Sequence, residues 1–256
     1  LIKRVSESFE KTVVILNIGS IIDMKWEELL TNDSAILLPF QGGMESGNAL
    51  ADVLFGVNEP SGRLTDTIAR NYSDYPSANC FGEKEYNNFE EDIYVGYRYF
   101  ETFEKDCVLY PFGFGLGYGD FQRKFLNAEL SENGFSLTVS TKNIAGICSK
   151  DVLQIYIEAP QGNLGKPSRV LCGFHKTKKL SKDEEQTLTF NIPFSVFASY
   201  DDCGKTPFKA SYVLEKGVYN VYLGGDVRSA EKVWDFRINE DIQLEKLKEV
   251  SAPIPK

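Results

Sequence analysis

The stretch "LLPFQGGMESGNALADVLFG", residues 37–56, decides the fold class of the first part of the chain. An apolar run ends at a pair of glycines, and apolar residues at helical spacing follow at once. Two nearly unbroken apolar runs, "TVVILNIG" at residues 12–19 and "AILLPF" at residues 35–40, are typical of parallel strands covered on both faces. With a short helical stretch at residues 25–30, the order of strand, helix, strand, helix predicts an α/β layer.

The glycine pair, Gly42 and Gly43, lies between a strand and a helix as a phosphate-binding loop does, but the residues that bind phosphate in such loops are missing. Neither the G-x-x-x-x-G-K-S/T nor the G-x-G-x-x-G spacing is present, and no lysine follows the pair. Glu45 opens the helix at the place where a phosphate would have to bind. We therefore interpret the pair as a strand-to-helix turn in which glycine permits backbone angles that other residues resist, and we predict no cofactor.

Residues 126–240 have a different hydropathy pattern, because apolar and polar residues alternate there. Short period-two runs separated by turn signals predict an antiparallel β-sandwich. One such run places apolar residues on one face and polar or aromatic residues on the other: Leu153, Ile155 and Ile157 against Gln154, Tyr156 and Glu158. The predicted core includes Leu137, Ile155, Phe190, Val221 and Trp234. The charged tail, residues 241–256, ends in prolines as a linker would.

Composition excludes several classes of function. The chain has 256 residues, of which 42% are hydrophobic, and its formal net charge of -9 argues against binding to nucleic acid or to anionic membranes. No apolar run approaches the ~18 residues of a membrane span. The five cysteines contain no C-x-x-C pair, which indicates neither a zinc site nor a dithiol redox motif. They predict reduced thiols and a cytoplasmic protein.

Candidate catalytic side chains are few. His175 is the single histidine, and no matching nucleophile lies near it in the sequence, so we expect a surface residue. An acidic loop could in principle hold the carboxylate pair of a glycosidase, although such clusters are usually solvated: Glu83, Glu85, Glu90, Glu91 and Asp92. The aromatic residues of 94–103 could stack on a sugar or a base, but their close spacing favours burial.

Four motifs in this order carry a resemblance to a known family: "VVILNIGSIIDMKW", "QGGMESGNALADVLFGVNEPSGRLTDT", "DIYVGYRYFE" and "LYPFGFGLGY". Together they resemble the second half of the α/β sandwich domain of family 3 glycoside hydrolases, the β-glucosidase family. "DVLQIYIEAPQGNLGKPSRVLCGFHKTKKLSKDEEQTLTFNI" and "VLEKGVYNVYLGG" resemble that family's fibronectin type III-like domain. Two small departures are Thr65, where proline is usual, and Gly117, where serine is usual.

The resemblance implies a partial three-layer α/β sandwich at residues 1–125, an all-β fibronectin type III-like sandwich at 126–240, and a linker at 241–256. The linker resembles the segment that leads into a barrel placed last in order-swapped members. The family's nucleophile lies in an S-D-W-like motif on a (β/α)8 barrel, and its acid/base glutamate lies in a motif ending near D-R. Neither motif occurs here, so no catalytic residue and no metal ligand is predicted.

The resemblance therefore implies the non-catalytic part of a retaining β-glucosidase that acts on terminal β-D-glucosyl residues. The implied partners are the missing barrel, the first half of the α/β domain and, in the full enzyme, a carbohydrate. Two other interpretations stay open: an independent carbohydrate-binding or structural module, and a nucleotide- or flavin-binding α/β protein.

Ligands of open α/β sheets bind beyond the carboxyl ends of the strands. The residues best placed at that edge, facing the missing barrel and available to substrate, are Gln41, Gly42, Gly43 and Glu45. Two strands are also too few for such a sheet. We expect this half either to be completed by another polypeptide or to be much less stable than the β-sandwich.

Overall fold

A computed structural model describes residues 1–31, 33–80, 82 and 84–250. The first part is an α/β layer, as predicted. Helix α1 (Ile2–Ser8) precedes two parallel strands, β1 (Thr12–Ile15) and β2 (Ser34–Leu37), and a 3-10 helix (Lys25–Leu29) lies between them. Helix α2 (Ser46–Leu54) follows the glycine pair. Both strands are shorter than the apolar runs that predicted them, because the ladder ends at the pair Ile15 and Leu37.

The α/β layer is poorly covered. Side chains along β1 alternate between half-buried and exposed, and Val13 and Ile15 are on the exposed side. None of the nine residues of α2 is buried. The described part of the chain therefore supplies no layer that encloses both faces of these strands.

A middle segment connects the layer to the β-sandwich. Strands β3 (Ile68–Ala69) and β4 (Val108–Tyr110) pair antiparallel, and helix α3 (Tyr97–Thr102) packs beside them. Phe100 of α3 is fully buried in a small cluster with Ala69 and Val108. Three further 3-10 helices complete the segment: Tyr72–Asp74, Pro76–Asn79 and Lys105–Cys107.

The last part is a β-sandwich of two antiparallel sheets. The strand bounds are β5 (Phe121–Ser131), β6 (Gly134–Asn143), β7 (Val152–Glu158), β8 (Val170–Lys176), β9 (Glu185–Pro193), β10 (Ser199–Asp201), β11 (Ser211–Leu214), β12 (Gly217–Gly224), β13 (Glu231–Ile238) and β14 (Ile242–Lys246). One sheet of the sandwich has the order β13-β12-β7-β8 and the other β5-β6-β9. A small third sheet has the order β10-β11-β14. A 3-10 helix, Phe194–Val196, follows β9.

The predicted core of the sandwich is confirmed. Leu137, Ile155, Phe190 and Val221 are buried between the two sheets, and Trp234 packs against them while remaining partly exposed. The inward side chains of neighbouring strands lie side by side in register, as for Leu137 of β6 beside Phe190 of β9 in the same sheet. Burial of these alternating side chains is the main stabilising contribution to this part of the chain.

The two faces of β7 are both buried, although the alternation of its sequence predicts that only one of them is. Gln154 and Tyr156, predicted on the face opposite the core, are as well buried as Ile155. Tyr97 of α3 and Phe112 pack on that face, and the rings of Tyr97 and Phe112 stack with their centroids 4.3 Å apart. The aromatic segment therefore forms a second cover on the sandwich. The predicted burial of the aromatics at 94–103 is confirmed for Phe100, whereas Phe103 is 55% exposed and the three tyrosines are half-buried.

The predicted boundaries of the sandwich differ from the observed strands. The first strand begins at Phe121 rather than at residue 126. The prediction of a linker from residue 241 is wrong for Ile242–Lys246, which pairs with β11 as strand β14. Leu244 packs against the core, and this burial together with the backbone ladder explains the ordered strand. Residues 251–256 lie outside the described residues.

None of the helices in the described part of the chain has the length and apolar character that a membrane crossing requires. All five cysteines are free thiols.

Candidate functional site

The carboxyl ends of β1 and β2 meet at one edge of the α/β layer, because the two strands are parallel. There Gln41 lies directly over Gly19. A Cβ atom at Gly19 would stand 2.9 Å from Gln41 Nε2, so a larger residue at position 19 would displace the amide. Sequence reasoning missed Gly19, although a glycine just after an apolar strand is a signal of close approach.

The glycine pair makes the strand-to-helix connection, but the predicted physical reason is wrong. The residue with a left-handed backbone is Phe40, with φ of 52°, and neither glycine has a positive φ. Gly42 is required by space instead, since a Cβ there would lie 2.6 Å from the Cβ of Ser46 in the first turn of α2. An added Cβ at Gly43 would meet open space.

Glu45 stands at the N-cap position of α2, and its carboxylate accepts a hydrogen bond from Asn48 Nδ2 within the first turn. A carboxylate at this position is favoured by the partial positive charge of the helix N-terminus. Gln41, Gly42, Gly43 and Glu45 are all exposed. The structure therefore brings the four predicted residues together as an open polar edge that can donate and accept hydrogen bonds.

The carboxylates of the acidic loop that the structure describes are mostly exposed. Glu83 lies outside the described residues, whereas Glu85, Glu90 and Asp92 are exposed to solvent and Glu91 is half-buried. Across the residues that the structure describes, no group of three or more His, Cys, Asp or Glu side chains is arranged to hold a metal ion. His175 is exposed on β8, with its ring edge-on to Phe190, which confirms the expected surface position.

The buried charges of the sandwich have structural partners. Arg123 forms two hydrogen bonds to the fully buried carboxylate of Asp151, of 2.9 Å and 2.6 Å. Lys166 donates to Glu215, and both side chains are buried. Burial lowers the pKa of the nearby Arg63, and the negative charge of Asp151 partly offsets this decrease. In both pairs the opposite charge compensates the cost of burying each charged side chain.

A polar contact joins the connection between β1 and β2 to the middle segment. The hydroxyl of Tyr110 in β4 donates to Glu27 in the 3-10 helix between β1 and β2. Burial first, and then this carboxylate, raise the pKa of Tyr110 to about 12. The phenol is thus a neutral donor that holds the crossover connection of the layer.

Comparison with known families identifies both parts of the chain. Residues 1–118 match the glycosyl hydrolase family 3 C-terminal domain, and residues 151–227 match the fibronectin type III-like domain. The two matches agree with the α/β layer and the β-sandwich of the structure. Residues 1–118 therefore belong to the C-terminal domain of glycosyl hydrolase family 3, and the resemblance of the motifs to this domain and to a fibronectin type III-like domain is confirmed.

Individual relatives match almost the whole chain. A β-glucosidase from Ruminococcus albus is 43% identical over 256 residues, which cover 99% of this chain and 27% of that protein. A crystal structure of a β-glucosidase from Paenibacillus barengoltzii superposes with a TM-score of 0.92 at 42% identity, over 96% of this chain and 28% of that one. The β-glucosidase 3B of Thermotoga neapolitana, solved in complex with α-D-glucose, superposes with a TM-score of 0.85 at 37% identity, over 95% of this chain and 34% of that one. The chain thus spans about a third or less of the length of these relatives.

Proposed function

We propose that this chain acts as the non-catalytic part of a β-glucosidase that hydrolyses terminal β-D-glucosyl residues with retention. The observation that carries the proposal is the exposed apolar surface of β1 and α2, in a chain that aligns along nearly its whole length with about a quarter of the Ruminococcus albus β-glucosidase. A retaining glycosidase needs two carboxylates about 5–5.5 Å apart, and those of the family belong to segments outside this chain.

The role of the chain follows from its two parts. The α/β layer is to be completed by the first half of the α/β domain, which adds strands and helices to β1 and β2. The open edge formed by Gln41, Gly42, Gly43 and Glu45 then faces the barrel, where the amide and the carboxylate are available to barrel backbone or to a sugar hydroxyl. The cytoplasmic location expected from the cysteines remains a prediction.

A chimeric enzyme tests the proposal. The region of the Ruminococcus albus β-glucosidase that matches this chain is replaced by residues 1–256, and hydrolysis of an aryl β-glucoside is measured. We expect the chimera to be active and this chain alone to be inactive. A matched control chimera lacks residues 1–58 and should be inactive, because the sheet remains incomplete.

A folded chimera without activity would contradict the proposal. Turnover by the purified chain alone, abolished by Glu85→Gln or Glu90→Gln, would contradict it as well. The role of the edge is tested in the active chimera with Gln41→Ala and Glu45→Ala. A raised KM at unchanged yield of folded protein indicates contact with the sugar, and a lowered yield indicates packing on the barrel.

An independent carbohydrate-binding module is the second candidate, favoured by the exposed rings of Tyr86 and Phe89 in the acidic loop. Calorimetric titration of the isolated chain with glucose and cellobiose distinguishes the two. Binding that is lost in Tyr86→Ala and Phe89→Ala would favour the module.

A further inference from the structure

Residues 113–119, "GFGLGYG", form what we call the glycine strip, in which every second residue is a glycine. Both ends of the strip lie against the sandwich. A Cβ on Gly113 would stand 2.2 Å from Gln154 Oε1, and a Cβ on Gly119 would stand 2.3 Å from the Cβ of Ser149. Side chains larger than hydrogen at these two positions would therefore push the strip away from the sandwich.

The middle of the strip lies against residues 59–64 in the same way. A Cβ on Gly115 would stand 2.7 Å from the carbonyl oxygen of Gly62, and one on Gly117 would stand 3.2 Å from that of Pro60. The amide of Leu64 donates to Phe114 O and the amide of Gly113 donates to Leu64 O, each over 2.8 Å. Residues 59–64 are thus joined to the strip as two neighbouring strands would be.

Polar contacts fix this assembly to the sandwich. Gln154 Nε2 donates to the carbonyl of Gly113 over 3.1 Å, and the amide of Val227 donates to that of Phe112 over 3.1 Å. Lys176 Nζ donates to the hydroxyl of Ser61 over 3.1 Å. The strip and residues 59–64 are therefore joined structurally to the sandwich, although the family match to the preceding domain extends to residue 118.

The strip also reaches the α/β layer through Tyr118. Its hydroxyl donates to the carbonyl of Val53 in the last turn of α2, over 3.0 Å. Among the hydrogen bonds of the described residues, this is the one that joins α2 to a residue outside 43–58. The helix makes its other side-chain hydrogen bonds locally, from Asn48 to Glu45 and from Asn58 to Asp52.

We propose that the glycine strip is a tether through which the sandwich holds α2 and, with it, the polar edge at residues 41–45. The sandwich fixes the strip, Tyr118 fixes the C-terminal end of α2, and the N-terminal end of α2 carries Glu45 and the residues before it. The proposal goes beyond the enzyme role, because it concerns contacts that the chain makes by itself and requires no missing segment.

Amide hydrogen exchange of the full chain tests the tether. The variants are Tyr118→Phe, which removes the hydroxyl and keeps the ring, and Gly115→Ala, which forces a Cβ against a backbone carbonyl. Gly62→Ala is the matched control, because an added Cβ there meets nothing within 4 Å. We expect wild-type α2 to be protected, and both variants to speed its exchange by about three- to tenfold while β9 keeps its protection.

Two results overturn the tether. One is exchange of α2 in the wild-type chain at the rate of an unstructured peptide. The other is exchange of α2 in Tyr118→Phe and Gly115→Ala at the rate of Gly62→Ala. If Gly115→Ala also speeds exchange in β9, this variant disturbs the sandwich itself, and the test then rests on Tyr118→Phe alone. An inactive chimera would leave these rates unchanged, so failure of the tether and failure of the enzyme role are distinguishable.

Discussion

Strands β1 and β7 are both apolar in sequence, yet only β7 is enclosed. In β1, Val13 and Ile15 are 49% and 39% exposed, whereas Leu153 and Ile155 of β7 are completely buried. An apolar run thus indicates that a strand requires cover, and does not indicate which segment provides it. For β7 the inner cover is the opposite sheet, and the outer cover is the aromatic segment that precedes the sandwich.

The outer cover of β7 is fastened by specific contacts. The amide of Leu171 donates to the hydroxyl of Tyr97 over 2.9 Å, and Arg169 lies over the ring of Tyr222, 4.1 Å from its centroid. Arg228 bonds to the buried carboxylate of Glu101 in α3 over 2.9 Å. No comparable set of contacts covers β1 in the described part of the chain, so the two regions should differ in stability.

The largest expected difference concerns hydrogen exchange of the strands. We expect amides at residues 12–15 and 34–37 to exchange orders of magnitude faster than those at 187–192, because an uncovered pair of strands opens locally while the sandwich opens only on global unfolding. Exchange is followed by mass spectrometry on a sample shown to be monomeric. Equal protection of both regions in that monomer would mean that the α/β layer is self-sufficient.

A matched pair of core truncations comes next in size. We expect Ile155→Ala to lower the free energy of unfolding of the sandwich by ~2–5 kcal/mol, because it leaves a cavity in a closed core. Ile15→Ala removes the same atoms from an exposed strand and should cost less than about 1 kcal/mol. Urea unfolding monitored by circular dichroism measures both, and similar losses for the two variants would refute the contrast.

A smaller effect depends on pH. The buried carboxylate of Asp201 accepts hydrogen bonds from the amides of Gly204, Lys205 and Thr206 and from the Thr206 hydroxyl. Burial alone would raise the pKa of Asp201, but these donors outweigh it and hold the pKa below its ordinary value of 3.8. The folded state therefore binds fewer protons than the unfolded state. The resulting stabilisation is complete at pH values above the ordinary pKa of 3.8, and it is lost as the pH falls through the lower pKa of the folded state.

The corresponding variant is Asp201→Asn, for which we expect a loss of ~1–3 kcal/mol at pH 7, since the amides lose a charged acceptor. The difference from the wild type should shrink below about pH 3.8. Asp202→Asn, at the exposed neighbouring position, is the control and should be neutral. A difference that stays constant from pH 7 to pH 2 would rule out this role of the carboxylate.

The smallest effect is expected at Met44, beside the glycine pair. Its side chain is fully exposed, so Met44→Ser should change the stability of the isolated chain by less than ~0.5 kcal/mol. Under the proposed function, the same substitution in the active chimera should be more harmful, because the barrel would cover this edge. Equal tolerance in both contexts, measured by thermal unfolding, would place Met44 outside the covered surface.

Much of this architecture could be predicted from local patterns. The alternation around Leu137 and Ile155 indicated the inward faces of the sandwich, and the helical spacing after Gly43 indicated α2. The burial of Gln154 could not be predicted in this way, because its cover comes from a glycine about 40 residues earlier. The close approach of Gln41 to Gly19 is likewise a contact between residues distant in sequence. Local patterns do not predict it, because the two loops meet only when the strands pair.

Strand β14 has a consequence for solubility. The small sheet has β11 at its centre, and β14 occupies the side of β11 that would otherwise present unpaired N–H and C=O groups. The strand that then forms the border carries Glu245 and Lys246, both exposed, and charged side chains oppose edge-to-edge association. A version of the protein shortened to residue 240 would replace this charged border with the bare edge of β11, and would therefore be prone to aggregate through intermolecular strand pairing.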